Sequence, residues 1–207
     1  MKSFIILLIC ITGICLPSTA EAQQVRIPLY DSLTLDTMIG HTDLAAALNE
    51  PEKVVKLVLR KEKLKEFPKE IWSFPNLQYL DLSKNQITEF PDTLWKLKNL
   101  QMLFLSKNRI VSLPREIGEQ SNLFLLNLNQ NELISLPPQI GKLKKLKFLD
   151  LWSNNISIFP EELKELEDNL LVLDLRVILI NHEQQDRIRK LLPKTTIYMS
   201  PPCKCND

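Results

Sequence analysis

The sequence predicts an α/β repeat solenoid of about six coils, each adding one short strand to a parallel sheet, with a helical cap at either end. Two observations predict it. One arrangement of apolar residues returns at a fixed interval: "LQYLDLSKNQITEFP", residues 77–91, places Leu77, Leu80, Leu82 and Ile87 around Asn85. A shift of 23 residues, Leu77 to Leu100, lands on Leu100, Leu103, Leu105, Asn108 and Ile110. Two more such shifts land on Leu123, Leu126, Leu128, Asn131 and Leu133, then on Leu146, Leu149, Leu151, Asn154 and Ile156. The second half of each unit repeats as well: Phe67-Pro68, Phe90-Pro91, Leu113-Pro114, Leu136-Pro137 and Phe159-Pro160, each followed three residues after the proline by Ile or Leu. A spacing that fits neither a strand nor a helix, yet recurs along most of the chain, is an internal repeat.

Taken in order, the opening "MKSFIILLICITGICLPSTAEA" carries Lys2, an apolar run from Phe4 to Leu16 and the triplet Ala20-Glu21-Ala22. It reads as a secretory signal peptide over residues 1–22, cut after Ala22. The run falls short of the roughly 20 apolar residues that a membrane span needs. Bulky Ile14 argues against a lipoprotein anchor at Cys15. Residues 23–53 form an N-terminal segment with a capping helix in "HTDLAAALNEPEKV", where Thr42 is the expected N-cap and Pro51 the stop. The coils occupy residues 54–181. Their first and last members, Val54, Leu57, Leu59, Glu62 and Leu64, and Leu170, Leu173, Leu175, Ile178 and Ile180, lack the Asn, as coils beside a cap can. Residues 182–207 form the second cap: "NHEQQDRIRKLLP" places Ile188, Leu191 and Leu192 on one helical face, "TTIYM" adds a last strand, and the tail reads "SPPCKCND".

The pattern has a physical logic. In "LQYLDL" the alternation Leu80-x-Leu82 is a short strand with one face inward, leaving Tyr79 and Asp81 pointing the other way. The turn after Leu82 strands backbone groups away from water, and an Asn amide both donates and accepts. Asn85, Asn108, Asn131 and Asn154 are therefore read as a structural ladder. Prolines suit a return path that contributes no sheet donors. One coil cannot offset its own chain entropy, so stacking and covered ends are required.

At these residues the chain resembles the leucine-rich repeat family, whose pattern L-x-x-L-x-L-x-x-N-x-L it carries four times in full. "LPREIGEQSNL" and "LPPQIGKLKKL" resemble the second halves of its short bacterial branch. The resemblance implies a curved solenoid with its sheet on the concave face. It implies a scaffold and not an activity.

Net charge is +1, so nothing pulls the chain toward nucleic acid or anionic lipid. The lysines of "KLKKLK" flank core positions Leu143 and Leu146 and read as solvated. With only two histidines, His41 and His182, one in each cap, no nucleophile–base set can be assembled. Four unclustered glycines supply no phosphate loop. The reading is non-enzymatic, with no cofactor and no metal. Asp81, Asp150 and Asp174 share one strand position and read as a solvated row. Three readings compete for Cys203 and Cys205: a metal site, for which ligands are missing, a disulfide across one residue, and a bridge to another chain. An oxidised tail without an assigned task is the preferred one.

Information about a partner lies in the outward strand positions. One row across the coils is Lys56, Tyr79, Met102, Leu125, Phe148 and Val172. Tyr79, Met102, Leu125 and Phe148, joined by Phe104 and Trp152, form an apolar column of the kind favoured at interfaces. Lys84 and Lys107, with Arg60, Lys61 and Arg109, crowd one margin, and an acidic partner would relieve their repulsion. Six strands span roughly 28 Å, and the face offers on the order of 450 Å², against about 800 Å² per partner in a standard interface. The expected partner is a protein or peptide, with self-association also open. The second reading is a structural or adhesive envelope protein, linked through the Cys203/Cys205 tail.

Overall fold

Leucines that alternate within each unit build the sheet. The computed structural model describes residues 27–203; the signal-peptide segment with Cys10 and Cys15, and Cys205, lie outside the described residues. Strands β1 (Lys56–Val58), β2 (Tyr79–Asp81), β3 (Met102–Phe104), β4 (Leu125–Asn127), β5 (Phe148–Asp150), β6 (Val172–Leu175) and β7 (Thr196–Met199) form one parallel sheet in sequence order. Register follows the repeat: Lys56, Tyr79, Met102, Leu125, Phe148, Val172 and Thr196 are successive partners. The intervening Leu57, Leu80, Leu103, Leu126, Leu149 and Leu173 point into the core and are fully buried or nearly so. The result is a curved solenoid with its sheet on the concave face.

The second half of each coil returns through a 3₁₀ turn, at Lys69–Ser73, Asp92–Lys96, Arg115–Glu119, Pro138–Lys142 and Glu161–Leu166. Each starts directly after the repeated proline, whose fixed φ suits the entry and whose missing N–H leaves nothing to satisfy. Each turn buries an apolar anchor, Ile71, Leu94, Ile117, Ile140 or Leu163, and the last buries Leu166 as well. Coils approach closely here: a Cβ at Gly141 would collide with the Glu162 carbonyl oxygen, so only glycine fits. Gln120, the one polar residue at its position, is buried and donates from Nε2 to the Leu94 carbonyl at 2.7 Å.

After each strand the chain turns over an Asn. Asn108 donates to the Leu82 and Leu105 carbonyls and accepts from the Ile87 amide. Asn131 and Asn154 repeat all three bonds one and two coils on. Asn85 donates to the Leu59 and Leu82 carbonyls and accepts from the Leu64 amide. The residue before the Asn position, which holds Glu62 and Ile178 in the end coils, is left-handed throughout: Lys61, Lys84, Lys107, Gln130, Ser153 and Val177 have φ between 53° and 65°.

The caps differ in part from expectation. The N-terminal helix α2 (Leu44–Ala47) is capped by Asp43, which accepts from the Ala45 and Ala46 amides; Thr42 is not the cap. A carboxylate at a helix start outcompetes the hydroxyl one residue earlier. Pro51 opens a short 3₁₀ turn, Pro51–Lys53, rather than only stopping the helix. A further helix, α1 (Ser32–Thr37), precedes it, and His41 pairs with Leu57 at the sheet's first edge. At the other end α3 (His182–Leu191) starts in a capping box of Asn181 and Gln184 and buries Ile188. Among the described residues, no helix is long and apolar enough to cross a membrane.

Candidate binding face

The concave face is divided into a covered half and an open half. Residues 27–38 lie as a strap over β1 to β3. The strap is held by side chains that read its backbone: Gln78 accepts from the Tyr30 amide and donates to the Pro28 carbonyl, and Gln101 donates to the Tyr30 carbonyl. The Ile27 amide donates to Asn76. Lys56 Nζ donates to the Leu35 and Asp36 carbonyls, at 2.8 and 2.7 Å, and sits 4.2 Å over the Tyr79 ring. Leu35 is wholly buried, in one cluster with Val55, Tyr79 and Met102.

This corrects the expected apolar column. Tyr79 and Met102 retain only 8% and 5% of their exposure, because Leu35 seals them against the sheet. The strap lies outside the repeat, so no periodic signal announced where it would lie. Burial pushes the Tyr79 phenol up to about 12, aided by the negative charges of Asp81 and Asp36 and opposed by Arg60.

The rest of the column stays open. Phe104, Leu125, Phe148, Val172 and Tyr198 line a hollow of about 260 Å³ together with Asn127, Asp150 and Asp174. Phe148 is exposed and meets Phe124 edge-on at 6.5 Å, and Phe104 stacks on the covered Tyr79 at 4.9 Å. Trp152 is half-buried and is not among the side chains that line the hollow. Tyr198 was not among the expected contact residues. Its register was available, since it pairs with Asp174 one coil further on.

The carboxylate row is not simply solvated, which corrects the second expectation. Asp81, Asp150 and Asp174 each accept from the backbone amide two residues later, those of Ser83, Trp152 and Arg176. Short acceptors at a strand end close the following turn this way. Asp150 also accepts from the Asn127 and Asn129 side chains, and Asp174 is held by Arg176, which lies over the Tyr198 ring. These carboxylates are committed to the scaffold.

Along the margin of the first three coils, Lys61, Lys84 and Lys107 occupy successive left-handed turns. The turns are stacked by bonds from the Lys61 amide to the Ser83 carbonyl and from the Lys84 amide to the Ser106 carbonyl. The Lys61 and Lys107 charges, then Arg60, hold the Lys84 ammonium below its ordinary value. Cys203 is disulfide-bonded, and its amide donates to the Ile180 carbonyl. The tail before it is pinned too, Ser200 accepting from the Val177 amide and the Gln185 side chain. No group of three or more metal-binding side chains occurs among the described residues.

A family profile described as a leucine-rich repeat region matches residues 53–195. The chain belongs to the leucine-rich repeat family. This leucine-rich repeat protein is similar to a Leptospira interrogans leucine-rich repeat protein of solved structure, at 40% identity and a TM-score of 0.65, over 71% of this chain and 38% of that one. It thus spans about two fifths of the leptospiral chain. A Listeria monocytogenes internalin shares the fold, with a TM-score of 0.63 and 22% identity over 77% of this chain and 46% of that one. The plant peptide hormone receptor RGFR1, solved in complex with RGF2, matches at 26% identity and a TM-score of 0.53, over 62% of this chain and 21% of the receptor. A comparison with curated proteins returned no significant match.

Proposed function

We propose that this leucine-rich repeat protein is a secreted, non-enzymatic binding module that receives a protein or peptide segment on the open half of its concave face. One observation carries the reading: the hollow between Phe104, Phe148 and Tyr198 is lined mainly by apolar side chains and stays open beside a half that the chain covers itself. Exposed aromatics around a concavity are what interfaces use as anchors. The similar plant receptor solved with RGF2 supports a peptide-sized ligand, as does the small free area. Secretion is supported by the signal-peptide pattern of residues 1–22 and by the oxidised state of Cys203.

The test is capture of a partner by residues 23–207, followed by titration with Phe148→Ala and Trp152→Ala. Both side chains stand off the core, so thermal melts should stay near those of the parent. Trp152→Ala should weaken binding by about 2 kcal/mol or more, and Phe148→Ala comparably. Unchanged affinity in both variants, with the fold intact, would move the site to the convex side or the caps.

A further inference from the structure

The open hollow and the lysine row are two features of one surface, and together they define the chemistry of what lies on it. Lys61, Lys84 and Lys107 project from turns stacked one coil apart, a spacing of about 4.8 Å. Among the described residues none of the three is in an ion pair. Arg60 differs, being 3.5 Å from Asp81. Like charges this close repel, and the Lys61 and Lys107 charges, then Arg60, hold the Lys84 ammonium below its ordinary value. The row ends in coil three, because the next residues at this position are Gln130, Ser153 and Val177. The hollow begins in that same coil, at Phe104.

The strap supplies a second, independent observation. It is the one described segment that lies on this face, and over residues 27–38 it carries Asp31 and Asp36 with no Lys or Arg. It binds with its backbone read by the Gln78 and Gln101 amides, one aliphatic anchor in the apolar column, and a lysine on its carbonyls. The face thus already holds one segment by its backbone and an apolar anchor, while the Asp31 carboxylate caps its own helix and that of Asp36 stays exposed.

Resting on the binding-module reading above, we infer that the partner is an extended acidic peptide segment: its carboxylates meet Lys61, Lys84 and Lys107, and one large apolar side chain enters the hollow between Phe104, Phe148 and Tyr198. The two contacts are on the order of 15 Å apart, combining roughly two strand spacings with about three residues of chain. About four or five extended residues cover that distance. A segment of that length suits the limited free area of the face.

Selection from a random peptide display library against residues 23–207 tests the inference. Synthetic copies of the enriched peptides are then titrated against the parent, against Lys84→Glu/Lys107→Glu, and against Phe148→Ala. The expected yield is peptides with two or more Asp or Glu spaced about four or five residues from an aromatic or Leu. The double charge reversal should weaken them about tenfold or more, and added salt should weaken the parent's binding in the same direction. Phe148→Ala should weaken them whatever the salt. Neutral or basic peptides that need Phe148 but ignore the charge reversal would overturn the acidic chemistry and leave the binding-module reading standing. An empty selection, or peptides indifferent to Phe148, would overturn both. Binding of phosphatidylglycerol vesicles or heparin that needs the lysines but not Phe148, without acidic peptides in the selection, would replace the peptide with an anionic surface or polymer.

Discussion

Asn108 serves three backbone groups of two coils with one amide. Replacing it with Ala strands those groups in a turn that is almost closed to water, and should cost roughly 2–4 kcal/mol. A denaturation midpoint unchanged by Asn108→Ala would mean that water serves the turn equally well. The repeated Asn was legible from sequence, because a polar residue in an apolar template must satisfy something. The strain beside it was not legible. The left-handed position is filled by Lys, Gln, Ser and Val, and none of these marks positive φ as Gly would. Gln130 adds a second cost there, with its side-chain oxygen buried and unpartnered. Gln130→Gly relieves about 1–2 kcal/mol of left-handed strain against roughly 0.5–1 kcal/mol of extra chain entropy. It should therefore raise the midpoint, by about 0.5–1 kcal/mol in equivalent stability. Gln120 gives the reverse case. Gln120→Leu removes one of two bonds to the Leu94 carbonyl, which keeps the Leu97 amide, and should stay within about 1 kcal/mol of the parent.

The strands and their prolines could be read from the sequence because each coil restates them, whereas the strap occurs once and follows no period. Its hold on the sheet is local, with Leu35 as the buried anchor. Leu35→Ala should cost about 2–4 kcal/mol, confined to the strap, and limited proteolysis should cut residues 27–38 while the coils resist. Tyr79 reports the same contact through pH. Its phenol titrates near 12 in the fold against 10.0 in the free side chain, so between these values the folded chain holds a proton that the unfolded chain has lost. Stability is then full below the lower value and falls as pH rises toward the upper one, by at most about 2–3 kcal/mol. Tyr79→Phe should flatten that alkaline decline, measured as denaturation midpoints on either side of the window. A decline of equal size in the variant would assign it to other groups. The candidate site was legible only in part for this same reason. Phe104, Leu125, Phe148 and Trp152 could be chosen from their register, but which half of the column stays open is decided by a segment without register.

At the scale of the whole molecule, sheet order follows chain order, so each strand pairs only with its neighbours in sequence. Stability in such a stack is close to a sum of coil terms and nearest-neighbour interfaces, and loss at one end need not spread to the other. The C-terminal end is closed by α3, which buries Ile188, and by β7, whose partner is β6 alone. Ile188→Ala opens a cavity under that cap and should cost about 2–4 kcal/mol of local stability. Amide hydrogen exchange should then quicken first in β7, next in β6, while β1 to β3 keep their protection under the strap. Because Tyr198 and Val172 line the hollow, the same substitution should weaken partner binding without touching any contact residue. Leu57→Ala, in β1, should do the opposite, loosening the strap end while leaving exchange in β6 and β7 unchanged. Protection lost evenly from β1 to β7 in either variant would show that the coils unfold as a single unit, and a face divided into a strapped half and a receiving half would then have no independent ends.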